Sequence, residues 1–124
     1  MKKEISTPNA DSVPGVLSQA IDTGSLIFVS GQINITADGA RVGETVEEKI
    51  KQIMTNITAI LKATDLTLEH IVKTTIYVTD LAQMTEVNTF YPTYFSGTLP
   101  AREAIGVAAL PLGATIEIST IAVR

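Results

Sequence analysis

Seven apolar residues recur at spacings of three and four along one stretch of this chain: Val46, Ile50, Ile53, Met54, Ile57, Ile60 and Leu61. That period places them on one stripe of a helix of about five turns, over residues 44–63. Glu47, Glu48, Lys49, Lys51 and Gln52 fill its other face. A stripe this long must be buried against a broad apolar surface, and the flanking segments are short and β-rich. "LIFVSGQI" (26–33) follows the turn signal Asp22-Thr23-Gly24 and reads as a strand. Residues 70–81 read as another, with Val72, Thr74, Ile76 and Val78 on one side and Lys73, Thr75, Tyr77 and Thr79 on the other.

Residues 84–95 read as a second helix, with Met84, Val87, Tyr91, Tyr94 and Phe95 inward. Pro92 removes a hydrogen bond there and clashes with the turn before it, at about 3 kcal/mol, so the helix kinks or ends early. Two strands close the chain, over 102–110 and 114–123, parted by Pro111-Leu112-Gly113. The first 19 residues, with Pro8, Asn9, Asp11, Pro14 and Gly15, read as an irregular arm or edge strand. One domain over residues 1–124, of class α+β, is expected: a single sheet with both helices on one face. The last strand is apolar on both sides, with Ile116 and Ile118 on one and Ile121 on the other, so neighbouring subunits are expected to cover the second face.

Composition narrows the function. There is no cysteine, which excludes disulfides and thiolate chemistry. His70 is the only histidine, so a Ser-His-Asp triad or a multi-histidine metal site would have one ring to work with; it is assigned no role. The formal net charge is −4, and the nine Lys and Arg residues are scattered apart from Lys2 and Lys3. Nucleic acid is therefore not an expected partner. No charge-free apolar run approaches the ~18 residues of a membrane span. "MKKEISTPNA" has no apolar stretch after its lysines, so neither a signal peptide nor a membrane is expected, and the expected location is cytoplasmic.

Chemistry concentrates near "LPAREAIGVAAL" (99–110). Arg102 heads an apolar run, Glu103 follows, and no further charge appears until Glu117. At the mouth of a buried strand such a charge is costly unless paired. Its partner is either structural, for example Glu103, or a ligand. A tight hairpin about Leu112 would put Glu117 opposite Val107, about 16 Å along the strands from Arg102, too far for the two to meet within one chain.

The chain resembles the RidA (YjgF-like) family of reactive-intermediate imine deaminases over nearly its whole length. The resemblance rests on "FVSGQI" (28–33), "IVKTTIYVTDL" (71–81), "EVN" (86–88), "PAR" (100–102) and "LP…IEI…IAV" (110–123), in this order and spacing. It implies a chorismate-mutase-like α+β fold and a homotrimer with its sheets around the threefold axis. It also implies ligand pockets between subunits, with the last strand inserted elsewhere in the sheet than beside its predecessor. The implied reaction is hydrolysis of 2-imino acids to 2-keto acids and ammonia, with no cofactor.

Carried onto this sequence, Arg102 matches the arginine that binds the substrate carboxylate. A guanidinium fork suits that planar group, and the alternative remains a strand-end salt bridge. Glu117 matches the glutamate that handles water. One carboxylate can take a proton from attacking water and return it to the departing amine; the alternative is a charge on a solvated face shared with Ser119. Burial would raise its pKa and Arg102 would lower it. Ser30 and Gly31 match the pocket motif, or are a plain strand end. Asn88 matches a position near the pocket, or is a polar residue on an exposed helix face. Two positions depart from the family: Leu17 stands where a tyrosine is common, and Ala104 where a cysteine is common. A thiol nucleophile is thereby impossible. Those departures favour a second function, a non-catalytic sensor of 2-keto acids. A third, an endoribonuclease, is opposed by the acidic balance and the lone His70.

Overall fold

A computed structural model describes residues 1–124. The long helix, α1 (Val46–Lys62), starts at a reciprocal cap. The Thr45 hydroxyl accepts the Glu48 amide at 3.1 Å, and the Glu48 carboxylate accepts the amides of Thr45 and Glu44 at 3.1 and 3.0 Å. Those amide donors draw the Glu48 carboxyl below its ordinary value. Every residue of the expected stripe is buried. Asn56 is buried among them and donates to the carbonyls of Ile33 and Ile35 at 3.2 and 2.8 Å, tying α1 to the segment that leaves the third strand.

Six strands form one sheet: β1 (Lys3–Ile5), β2 (Ala20–Asp22), β3 (Leu26–Gln32), β4 (Ile71–Val78), β5 (Ala101–Gly106) and β6 (Ile116–Val123). Their order is β1-β2-β3-β6-β4-β5. Only β4 and β5 are parallel. Parallel neighbours need a crossover, supplied here by α2 (Met84–Phe90). Ile27, Val29, Ile76, Val78, Ile116 and Ile118 pack with the α1 stripe, Val87 and Tyr91 in one core. The class is α+β, a mixed sheet with two helices, as expected. The last two strands do not form a hairpin, because β4 lies between β5 and β6. On the face away from the helices Phe28, Ile105 and Val123 stay exposed.

Three expectations need correction. Val72 does not share a face with Thr74, Ile76 and Val78. It is an extra residue in a bulge between Ile71 and Lys73, so Ile71 points inward and Val72 is exposed. The early end expected from Pro92 is not among them: the second helix stops at Phe90, and a tighter 3₁₀ turn follows over Tyr91–Tyr94. The run 102–110 is a strand only over Ala101–Gly106, and every residue of it is exposed, so Arg102 heads an open edge strand and not a buried one. The final strand begins at Ile116, two residues later than expected.

Candidate functional site

The register of β3 against β6 slips by one residue between Val29 and Gln32: Val29 pairs with Thr120 and Gln32 with Ile118. The extra residue makes a bulge at Ser30-Gly31, a device that re-aims side chains beside functional sites. Gly31 lies under the Glu117 side chain; a Cβ there would be 2.5 Å from Oε2. The missing side chain is what lets the carboxyl settle against the strand. Ser30 faces the N-terminal arm, where its hydroxyl donates to the Ser18 carbonyl at 2.6 Å. Its amide donates to the Gln19 carbonyl at 2.9 Å.

A cavity of about 370 Å³ opens here, lined among others by Asp11, Leu17, Ser30, Gly31, Leu112 and Glu117. Glu117 is half-buried, and loss of water around it pushes its carboxyl up from the ordinary value. Such a group sits nearer the range in which a carboxylate takes and returns protons. Asp11 and Glu117 are the only charged residues lining the cavity. An anionic ligand held here needs a cation from outside it.

Arg102 cannot supply that cation within the same chain. It registers with Thr74, which points into the core, whereas Glu117 registers with Tyr77 on the opposite face. The two residues leave opposite faces of the sheet, two strands apart. The structural partner considered for Arg102 is also absent. Glu103 points to the other face and pairs with Lys73 at 2.7 Å, because neighbours along a strand alternate. Instead the Arg102 guanidinium lies over the Tyr91 ring, 5.6 Å from its centroid. Ala104 shares the Arg102 face of β5, registering with Ile76, and Asn88 is exposed on α2. The candidate residues thus divide into Leu17, Ser30, Gly31 and Glu117 on one side and Asn88, Arg102 and Ala104 on the other.

Residues 8–124 match the protein-family model described as "Endoribonuclease L-PSP". The 2-iminobutanoate/2-iminopropanoate deaminase of Mus musculus is 42% identical, over 100% of this chain and 93% of its own. The deaminase of the same name from Salmonella typhimurium is 40% identical, over 100% and 99%. The chain belongs to the RidA family. Among solved structures, yeast Mmf1 superposes on this chain with a TM-score of 0.96 at 34% identity, covering 100% of this chain and 99% of that one. The YjgF gene product of E. coli gives 0.93 at 39%, covering 98% of each.

Within this RidA chain several site residues escaped sequence reasoning. Gln19 is buried and binds the arm four times: it accepts the Thr7 amide at 2.7 Å and donates to the carbonyls of Thr7, Ala10 and Asp11 at 3.1, 3.0 and 2.9 Å. Nothing in "LSQAID" distinguishes that glutamine from a surface one. Leu112 takes a left-handed backbone (φ 55°, ψ 28°) at the cavity rim, and "PLG" signalled only a turn. No three or more His, Cys, Asp or Glu side chains are grouped as metal ligands. No helix is long and apolar enough to cross a membrane.

Proposed function

We propose that this chain is a homotrimeric hydrolase of small 2-imino acids, with its active sites between subunits. The observation that carries the reading is the half-buried Glu117 carboxyl seated over Gly31 in a cavity that lacks a cation. The deaminase names of relatives at about 40% identity support it. Arg102 of a neighbouring copy would hold the substrate carboxylate by a two-bond fork. Its N–H donors have no partner in its own chain, and the open edge of β5 and the bare sheet face invite a neighbour.

In the reaction, water attacks the carbon of the protonated C=N bond while Glu117 takes its proton. The carbinolamine that forms receives that proton on nitrogen. Its hydroxyl gives its own proton to Glu117 as the C=O bond forms and the C–N bond breaks, and the keto acid and ammonia leave, the ammonia carrying that proton away as ammonium. The Ser30–Gly31 bulge sets the position of Glu117. Leu17 and Ala104 bring neither a hydroxyl nor a thiol, so water is the nucleophile. The sensor alternative draws on those same two residues and needs the same carboxylate anchor. RNA cleavage would call for a basic surface, whereas the cavity presents two carboxyls.

Generating 2-iminobutyrate in situ and following its loss tests the reading. Acceleration by the protein is expected; binding of 2-ketobutyrate without acceleration would make the chain a sensor. Light scattering should give three times the 13.2 kDa of one chain; the monomer mass would contradict the shared site.

A further inference from the structure

Arg102 stands on an edge strand whose every residue is exposed. The chain's two ion pairs, Lys73–Glu103 and Arg124–Asp22, do not include it. A long cation with no partner ordinarily samples many rotamers, and ordering it costs a ligand affinity. Here it does have a seat. The guanidinium carbon lies 5.6 Å from the Tyr91 centroid, over the ring.

That ring is held firmly. Tyr91 is 3% exposed. Its hydroxyl donates to Thr74 Oγ1 at 2.9 Å, and its ring packs against Phe95 with centroids 5.1 Å apart. Thr74 is also the register partner of Arg102. One buried threonine therefore fixes both the strand beneath the guanidinium and the ring against it. Pro92 contributes by ending α2 at Phe90, so that Tyr91 opens the tighter turn.

We propose that Tyr91 is a positioning residue for Arg102, a neutral aromatic platform that orients the guanidinium while leaving its N–H donors free for a carboxylate ligand. A carboxylate partner would hold the arginine equally well but would occupy those donors and repel an anion. A ring face attracts the cation through its quadrupole and competes for neither. This proposal rests on the reading of Arg102 as the carboxylate anchor.

A double-mutant cycle on the assembled protein separates the two ideas, with calorimetric titration of 2-ketobutyrate as the readout. Tyr91→Leu should weaken binding by about three- to tenfold, and should weaken it no further in an Arg102→Met background. An equal loss in both backgrounds means that Tyr91 acts through the fold, and overturns the proposal. An unchanged affinity in Tyr91→Leu, with a loss in Arg102→Met, overturns it while the carboxylate-anchor reading survives. Full affinity in Arg102→Met sinks that anchor reading and the platform with it. Should Tyr91→Leu not fold, the Arg102 side-chain resonances decide. In the parent and in Tyr91→Phe they should be shifted upfield by the ring current; unshifted resonances in the parent overturn the proposal.

Discussion

The Glu117 carboxyl lies so close over Gly31 that a Cβ on residue 31 would sit 2.5 Å from Oε2 and 2.9 Å from Cδ. The atoms in the way belong to the end of a flexible side chain, so a methyl group there would move the carboxyl and spare the backbone. Gly31→Ala should therefore fold with a melting temperature near the parent's while losing about 10²-fold in imine hydrolysis, the usual effect of misplacing a catalytic group by about an ångström. A fully active Gly31→Ala protein would show that the seat of Glu117 is immaterial.

Removing the charge of Glu117 should separate activity from stability. Because burial raises its folded pKa, the ionised form is the disfavoured one in the fold, and the stability it costs is felt above that pKa. Glu117→Gln should melt slightly higher than the parent at neutral pH. It should lose about 10²- to 10⁴-fold in rate and bind 2-ketobutyrate about as well. The parent's activity should rise with pH as Glu117 ionises, and that limb should vanish from the residual rate of the variant.

The hydroxyl of Ser30 works on the N-terminal arm. Its bond to the Ser18 carbonyl fastens the residue that follows Leu17. Ser30→Ala should cost about 1 kcal/mol of stability, the usual net worth of such a bond. Hydrogen exchange should quicken in the arm around residues 13–19 and stay slow in α1. Unaltered exchange in the arm would show that Gln19 alone secures it.

Acid should unfold the protein through other carboxylates. The Asp22 carboxyl is lowered by the Gly24 amide and by Arg124, Glu48 by the amides of Thr45 and Glu44, and Glu69 by those of Ser96 and Gly97. A carboxyl with a depressed folded pKa stabilises above its unfolded value, and that stability is lost as pH falls through the folded one. Stability should hold from neutrality down to about pH 4 and then fall. A Glu69→Gln protein should show a shallower fall; an identical acid transition would mean that the amides at Ser96 and Gly97 do not matter.

How far the molecule was legible in its sequence depended on whether a feature was local. The α1 stripe and the alternation of β4 from Lys73 onward depend on residues near one another, and they appear where periodicity put them. The Val72 bulge and the Ser30–Gly31 bulge depend on which strand lies alongside, and β6 reaches both from more than forty residues away. Arg102 was singled out by its isolation in an apolar run, yet that run is an open edge and not a buried strand. Its platform, Tyr91, was indistinguishable from any aromatic on a helix face. Leu17, Ser30, Gly31 and Glu117 fell together at one cavity, while the sheet itself parts them from Asn88, Arg102 and Ala104.

That partition makes subunit mixing the most direct test of a site shared between chains. Arg102→Met and Glu117→Gln variants should each be nearly inactive towards 2-iminobutyrate. Unfolded together in equal amounts and reassembled, they should recover about a quarter of the parent's rate, because about one interface in four pairs an intact Glu117 with a neighbour's intact Arg102. A mixture with no more activity than its separate components would place both residues in sites within single chains, or one of them outside the site, and would contradict the shared active site.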